Sequence, residues 1–211
     1  MTKIVIIEDH PVMRNGLAAW FEGSGRWSVT GTASSLAEAK DLLACFSATG
    51  QKPDLLLLDI QLEDGWGLDI ITWYQAHFAK QAHFATQSNV PPAAVYSVFD
   101  DYAHVNAALA MGVRAYVTKR RSETELEEAL LRVLEGKLYI DEAAQIKFET
   151  VKDLFSLLTK REAEILSLVK TGLSNKQVAA NLGISCRTVE NILSCVYDKT
   201  GIRSRMELLR L

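Results

Sequence analysis

The sequence predicts a doubly wound, parallel α/β sheet followed by a small all-helical unit. Four short apolar runs, Lys3-Ile-Val-Ile-Ile7, Asp54-Leu-Leu-Leu-Leu58, Ala93-Ala-Val-Tyr96 and Val113-Arg-Ala-Tyr-Val-Thr118, are separated by stretches of helical periodicity. Strands covered on both faces by crossover helices read as continuous apolar runs of this kind, whereas strands with one wet face alternate. A second observation is a set of capping boxes that start helices between and after the runs. A third is a change of character near residue 155, where the chain becomes basic and wholly helical in pattern.

Taken in order, the first run is followed by Pro11, suited to an opening helical turn. Ser35-x-x-Glu38 starts the next helix, one near Gly67 follows the second run, one from Asp101 follows the third, and Ser122-x-x-Glu125 starts the helix after the fourth. This β-α alternation, repeated five times, gives a sheet of flavodoxin-like strand order over residues 1–135. Gln75 to Val90 reads as an extended helix end plus a loop closed by Pro91-Pro92, so that 74–92 is an insertion away from the ligand-binding edge. Residues 136–154 mix charge with few large apolar side chains, which suits a linker. Over 155–211, Thr159-x-x-Glu162, Ser174-x-x-Gln177 and Ser204-x-x-Glu207 are further capping boxes. A helix over Lys160 to Lys170 breaks at Thr171-Gly172-Leu173; a second covers Asn175 to Leu182, turns tightly at Gly183-Ile184-Ser185, and leads into a third from Cys186 to about Thr200. Two short helices joined through a glycine turn are the helix-turn-helix signature.

Composition bounds the function. A chain of 211 residues with 48% hydrophobic content can build one α/β core and one small helical core. Residues 155–211 hold 9 Lys plus Arg against 5 Asp plus Glu, a balance of +4, while residues 1–154 hold 14 and 21, a balance of −7. No apolar run approaches the roughly 18 residues of a membrane span, and the opening residues form a charged strand rather than a signal peptide, so a cytoplasmic location is expected. Cys45 stands alone, and Cys186 and Cys195 lie nine residues apart on one predicted helix. That spacing is a rise of about 13 Å, too far for a bridge within one chain. His77 and His83 belong to a near-repeat, Ala76-His-Phe-Ala79 and Ala82-His-Phe-Ala85, but six residues apart they share no helix face and no metal is expected there.

The residues after the runs carry the chemistry. Glu8 and Asp9, Asp59, Ser97 and Lys119 each stand at the downstream end of a run, and in open α/β sheets ligands gather beyond those ends. Three carboxylates, a hydroxyl and an ammonium would share one pocket. Carboxylates about 4 Å apart repel by roughly 1 to 4 kcal/mol per pair, so a hard divalent cation is needed, and Mg2+ in such surroundings usually serves a phosphoryl group.

This constellation resembles the receiver domain of two-component response regulators over residues 1 to about 135. The resemblance implies Asp59 as phosphoacceptor, Glu8 and Asp9 as the acidic pair, Ser97 as the switch hydroxyl, Lys119, 22 residues later, as the family's lysine, and Tyr116 as the switch aromatic. Asp9-His10-Pro11 followed by Val-Met-Arg-Asn-Gly-Leu is similar to the start of the NarL/FixJ subfamily. One departure is Glu63, where the family often has proline; it adds negative charge near the site.

The residue types also make sense chemically. A carboxylate can accept a phosphoryl group as a covalent nucleophile, which makes Asp59 the best nucleophile. In-line transfer needs cations against the equatorial oxygens: Mg2+ held by Asp9, Asp59 and the carbonyl of Gln61, with Glu8 acting through a metal-bound water, plus the point charge of Lys119. Ser97 would then bond a phosphoryl oxygen, drawing its strand end inward and opening room for Tyr116 to turn in. Self-phosphorylation from small phosphodonors and autodephosphorylation are the only turnover expected.

The C-terminal unit resembles the LuxR-type effector domain through Leu158-Thr-Lys-Arg-Glu162, Gly172-Leu-Ser-Asn-Lys-Gln-Val-Ala179, Thr188-Val189 and Lys199-Thr-Gly-Ile-Arg-Ser204. Its recognition segment, Thr188-Val-Glu190-Asn191-Ile192, departs from the usual Thr-Val-Lys-x-His, and Leu193 stands where a basic residue is common. Val189, Leu193 and Val196 form the buried stripe, which leaves Glu190, Asn191 and Ser194 facing a DNA groove. Lys176, Arg187 and Lys199 are expected on phosphates, and Thr188 belongs to the same DNA-facing set. Asn pairs with adenine and Glu accepts from the cytosine amine.

The expected protein is a transcription regulator whose DNA binding is controlled by phosphorylation of Asp59. Its expected partners are a sensor histidine kinase, DNA read as two half-sites by a homodimer formed on phosphorylation, and RNA polymerase. Two alternatives stand: a phosphorylation-independent or protein-binding regulator with weakened DNA affinity, and an aspartate-nucleophile phosphohydrolase. The second would need a general acid two residues after the nucleophile, where this chain has Gln61.

Overall fold

The computed structural model describes residues 1–79, 90–200 and 205. Packing divides the chain into two units, Met1–Asp100 with His104–Gln145, and Ile146–Leu211 with the short segment Asp101–Ala103. The second Ala-His-Phe-Ala copy with His83, the Ser204 capping box and the end of the Lys199–Ser204 motif lie outside the described residues.

In the first unit the chain runs β1 (Thr2–Ile7), α1 (Pro11–Gly23), β2 (Trp27–Ala33), α2 (Leu36–Ala48), β3 (Leu55–Leu58), a hairpin of β4 (Gln61–Leu62) and β5 (Gly65–Trp66), α3 (Asp69–Ala79), β6 (Ala93–Ser97), α4 (Tyr102–Ala110), β7 (Ala115–Thr118), α5 (Glu123–Leu134) and β8 (Tyr139–Ile140). The main sheet is parallel in the order β2-β1-β3-β6-β7-β8. Strand order reverses between β1 and β3, so the crevice at their carboxyl ends is the topological switch point of the sheet. Every residue of β3, and Ile4 to Ile7 of β1, is buried. Alternate residues Ile4, Ile6, Leu55, Leu57, Ala94, Tyr96, Ala115 and Val117 pack with Leu17 and Phe21 of α1 and Leu126, Ala129, Leu130 and Val133 of α5. Each fully buried large apolar side chain contributes about 1.5–3 kcal/mol, which fixes strand register and hence where each strand ends.

Edge strand β2 lacks the apolar run that marks the others, since only its terminal Trp27 and Ala33 are buried. It is anchored instead through Trp27, whose indole N–H donates to Glu127 Oε1 of α5 at 2.9 Å. The sheet also has a sixth strand that the five-fold alternation did not predict. β8 has two residues, too few for any periodicity, and pairs with β7 through Tyr139 N–H to Arg114 O and Asp141 N–H to Tyr116 O, both 2.9 Å.

The stretch read as a linker, 136–154, holds β8 and most of a helix, α6 (Glu142–Ser156). Asp141 explains the order there. Its carboxylate is fully buried and accepts from the backbone N–H of Thr118 at 2.5 Å and of Ala144 at 3.1 Å, so one side chain closes the sheet edge and caps the helix.

The remaining helices are α7 (Lys160–Lys170), α8 (Asn175–Leu182) and α9 (Cys186–Thr200). Thr159 and Ser174 form complete capping boxes with Glu162 and Gln177. α8 ends at Gly183, whose φ of 64° is a left-handed conformation that costs glycine nothing. Ile165, Leu166, Val169, Val178, Ala179, Val189, Leu193 and Val196 make the core of this helical unit. Among the described residues no helix is long and apolar enough to cross a membrane.

Candidate functional site

The expected convergence at the switch point is present. Asp59 follows β3 and is held by its backbone N–H to Ile7 O at 2.8 Å, directly beside the end of β1 from which Glu8 and Asp9 emerge. Lys119 follows β7, and its Nζ lies 2.6 Å from Asp59 Oδ2 and 2.7 Å from Glu8 Oε2. Burial alone would lower the Lys119 ammonium, but hydrogen bonds and charge from Asp59 and Glu8 outweigh it and hold its pKa above the ordinary value. The proton therefore stays on Lys119 across the physiological range.

The acidic pair divides its roles by burial. Glu8 is 2% exposed and committed: Oε2 faces Lys119, and Oε1 accepts the His10 backbone N–H at 3.2 Å. Asp9 is more open and contacts His10 Nδ1 through Oδ1 at 2.7 Å. The guanidinium of Arg14 donates to the carbonyls of Glu8 at 2.8 Å and Asp9 at 3.1 Å, bracing the turn that presents both. No signal but position one turn into α1 would have singled out Arg14.

Donor atoms of Glu8, Asp9, His10 and Asp59 all lie within 4.8 Å of one another. Three carboxylates facing one ammonium leave two net negative charges in one crevice, and this donor set fits a divalent cation of the kind that accompanies phosphoryl groups. Gln61, named for its carbonyl, lies in the hairpin after β3 with its N–H 3.4 Å from Asp59 Oδ1. Close packing holds that segment against Asp59: a Cβ on Gly67 would sit 1.8 Å from the carbonyl oxygen of Asp59. Glu63 is exposed at the hairpin turn, whereas its neighbour Asp64 accepts the N–H groups of Leu36 and Ala37 at 2.8 and 3.0 Å and caps α2.

Ser97 ends β6, fully buried, beside Lys119, whose backbone N–H donates to Ser97 O at 2.7 Å. Tyr116 differs from the outward starting position that the expected switch needs. It is fully buried, and its hydroxyl donates to Phe99 O at 2.9 Å, while the Phe99 ring stacks on His104 at 4.2 Å between centroids. Every residue of β7 is buried, with Tyr116 in register with Val95 and Ile140, and the β6–α4 loop supplies an acceptor for its hydroxyl.

In the helical unit, Arg187, Thr188, Glu190, Asn191 and Ser194 are exposed on α9 and Lys176 on α8, opposite the buried Val189, Leu193 and Val196. Ser185 caps α9, its Oγ accepting the Thr188 N–H at 3.0 Å and lying 2.8 Å from Thr188 Oγ1. Cys186 Sγ faces Glu190 Oε1 at 3.6 Å; partial desolvation of this exposed thiol, and then the Glu190 charge, raise its pKa. Lys199 is placed differently from the other basic residues expected on DNA. Its Nζ lies 2.8 Å from both carboxylate oxygens of Glu162, which also accepts the Thr159 N–H at 2.7 Å. Cys45, Cys186 and Cys195 are free and exposed, and His77 stacks on Trp73 with ring centroids 4.8 Å apart.

Residues 4–131 match the family model described as response regulator receiver domain, and residues 156–211 the one described as bacterial regulatory proteins, luxR family. The oxygen regulatory protein NreC of Staphylococcus aureus (strain bovine RF122 / ET3-1) is 28% identical over 219 residues, covering 98% of this chain and 94% of that protein; the same figures hold for NreC of strain MRSA252. Among solved structures, a complex of the two-component response regulator RcsB with DNA has a TM-score of 0.70 at 21% identity, covering 99% of this chain and 96% of that one. RcsB from Salmonella enterica serovar Typhimurium, bound to promoter P1flhDC in the presence of phosphomimetic BeF3-, has a TM-score of 0.66 at 21% identity, with 99% and 96% covered.

Proposed function

The chain belongs to the two-component response regulators, a receiver joined to a luxR-type DNA-binding domain that acts in transcription, and from that premise we propose that phosphorylation of Asp59 governs its DNA binding. The working division is a receiver over 1–135, a connector over 136–154 that includes β8 and most of α6, and a DNA-binding unit over 155–211. The observation that carries the reading is the Lys119 ammonium between Glu8 Oε2 and Asp59 Oδ2, at the carboxyl ends of neighbouring parallel strands.

A carboxylate oxygen of Asp59 forms a bond to the phosphorus of the donor, and the donor leaves with the electron pair of its own bond to phosphorus. The acyl phosphate adds negative charge where Asp59 now meets Lys119, so the ammonium follows it and weakens its hold on Glu8. Ser97, at the end of β6, donates its hydroxyl to a phosphoryl oxygen. Asp9, Asp59 and the carbonyl of Gln61 would hold Mg2+, with Glu8 acting through a water. When bound, the cation neutralises the crevice and stabilises charge on the transferring group. Tyr116 acts in this reading by keeping or releasing its bond to Phe99 O, which couples the β6 end to the α4 side.

A sensor histidine kinase is the expected phosphodonor, and a homodimer on two DNA half-sites the expected output state, with RNA polymerase a further partner and the cytoplasm the location. The RcsB complexes with DNA support the DNA half of this reading. The test is incubation with acetyl phosphate and Mg2+, followed by intact-mass analysis and DNA titration. One base-labile phosphoryl group should appear on the wild type with tighter DNA binding, and neither on Asp59→Asn. The same adduct on Asp59→Asn would remove the assignment.

A further inference from the structure

We propose that Asp141 is the positioning residue that carries the phosphorylation state of the receiver to α6, by joining the end of β7, next to Lys119, to the first turn of that helix. The inference rests on the proposed phosphorylation of Asp59 and deepens it by naming how that site is read out. Asp141 is fully buried, and its two carboxylate oxygens serve different elements: Oδ2 accepts the Thr118 N–H at 2.5 Å and Oδ1 the Ala144 N–H at 3.1 Å. Its backbone makes the same connection. The Asp141 N–H donates to Tyr116 O at 2.9 Å, and its carbonyl accepts the Gln145 N–H at 2.8 Å. Thr118, Asp141 and Ala144 all lie within the first packed unit.

One peptide separates this carboxylate from the crevice. Thr118 precedes Lys119, whose Nζ meets Asp59 and Glu8 and whose backbone N–H is bonded to Ser97 O at 2.7 Å. Charge added at Asp59 draws the ammonium, and the strand end with its Thr118 N–H follows. A surface cap could let go and leave its N–H to water. Here both oxygens are buried, so neither N–H can part from the carboxylate without stranding a buried polar group, and the first turn of α6 moves with Thr118. The end of β7 also has a reason to move. Thr118 Oγ1 is buried, in register with Ser97, and finds no hydrogen-bond partner among the described residues. An orphaned hydroxyl disfavours the arrangement that orphans it, which brings a second arrangement of the strand end closer in free energy. Arg121, its NH2 3.7 Å from Asp141 Oδ1, offsets the charge of the buried carboxylate.

The experiment uses the whole chain and follows backbone amide hydrogen exchange by NMR, with and without acetyl phosphate and Mg2+, while intact mass reports the adduct. In wild type, phosphorylation should change exchange at Thr118 and at Ala144 together, each by roughly 5-fold or more, the low end of coupling between sites. Asp141→Ser separates the two bonds: its single short-armed oxygen can still cap Ala144 but leaves Thr118 unjoined. That variant should take up the adduct as wild type does, and its response should stop at Thr118. A wild-type response at Thr118 that does not reach Ala144 would overturn the inference without recourse to any variant, and leave Asp59 standing as phosphoacceptor. So would an Ala144 response in Asp141→Ser equal to that of wild type. Absence of any adduct on wild type would overturn the phosphoacceptor reading itself, and this inference with it.

Discussion

Lys199 shows how a residue's type can be legible while its partner is not. The sequence marks it as a cation near the end of a DNA-binding helix, yet its ammonium bonds both oxygens of Glu162, 37 residues earlier. Those bonds, and the Thr159 N–H, hold the Glu162 carboxyl at about 2, down from 4.5. A depressed folded pKa contributes stability that is present above the unfolded value and lost as pH falls through the folded one. The helical unit should therefore weaken as pH drops from 4.5 toward about 2, and Glu162→Gln should flatten that part of the curve and lower stability at neutral pH. Circular dichroism melts at stepped pH check it; an unchanged acid limb in the variant would contradict the pairing. Glu190 and Asn191, both exposed on α9, are the proposed base readers. Asn191→Ala should cost roughly 1 to 3 kcal/mol at one base position and leave nonspecific binding nearly unchanged. Glu190→Lys should raise affinity for unrelated DNA and steepen the slope of log K against log salt by about 0.9. Titrations on specific and scrambled duplexes at several salt concentrations separate the two, and equal weakening of both duplexes by Asn191→Ala would exclude base reading through that side chain.

At the scale of elements, the β4–β5 hairpin and the entry to α3 pack against Asp59. Gly67 N–H donates to Ile60 O at 2.6 Å, and any side chain at 67 would overlap the Asp59 carbonyl. Gly67→Ala should destabilise the receiver by about 1–3 kcal/mol, the usual range for overpacking, and slow phosphorylation of the fraction that folds. Thermal melting and the rate of adduct formation by mass spectrometry measure both; wild-type values for each would show that the hairpin yields freely. Element starts were legible where a cap lies in the local sequence, as at Ser122, Thr159 and Ser174. They were less so where the cap comes from afar. Ser35 does accept the Glu38 N–H at 3.1 Å, but Glu38 reaches back to Ser34 at 2.6 Å instead, and Asp64, 28 residues past Leu36, covers the first two N–H groups of α2. Likewise β8 and α6 depend on Asp141, whose meaning comes from Thr118 and Ala144 rather than from its neighbours in sequence.

At the scale of the molecule, an acidic stretch, residues 1–154 at −7, and a basic unit, residues 155–211 at +4, are joined in one chain. If the receiver restrains the DNA-binding unit, then residues 150–211, which contain the core of Ile165, Val169, Val178, Val189, Leu193 and Val196, should bind DNA at least as tightly as the unphosphorylated whole at matched dimer concentration. Moving a two-state system from 1:99 to 99:1 needs about 5.5 kcal/mol, so phosphorylation should release the restraint in part rather than completely. Markedly weaker binding by the fragment would argue against restraint. The sequence by itself determined the parallel sheet, the helix-turn-helix and the identity of Glu8, Asp9, Asp59, Ser97 and Lys119, because strand burial and local capping leave periodic, short-range signatures and the sheet's topology sends strand ends to one edge. Tertiary structure alone decided that Tyr116 lies inward on Phe99 O, that Lys199 serves Glu162, and that His10 joins the acidic crevice. Those are choices among partners that a side chain meets only after the chain has closed on itself, and a hydrogen bond or ion pair reports distance in space, on which spacing in sequence is silent.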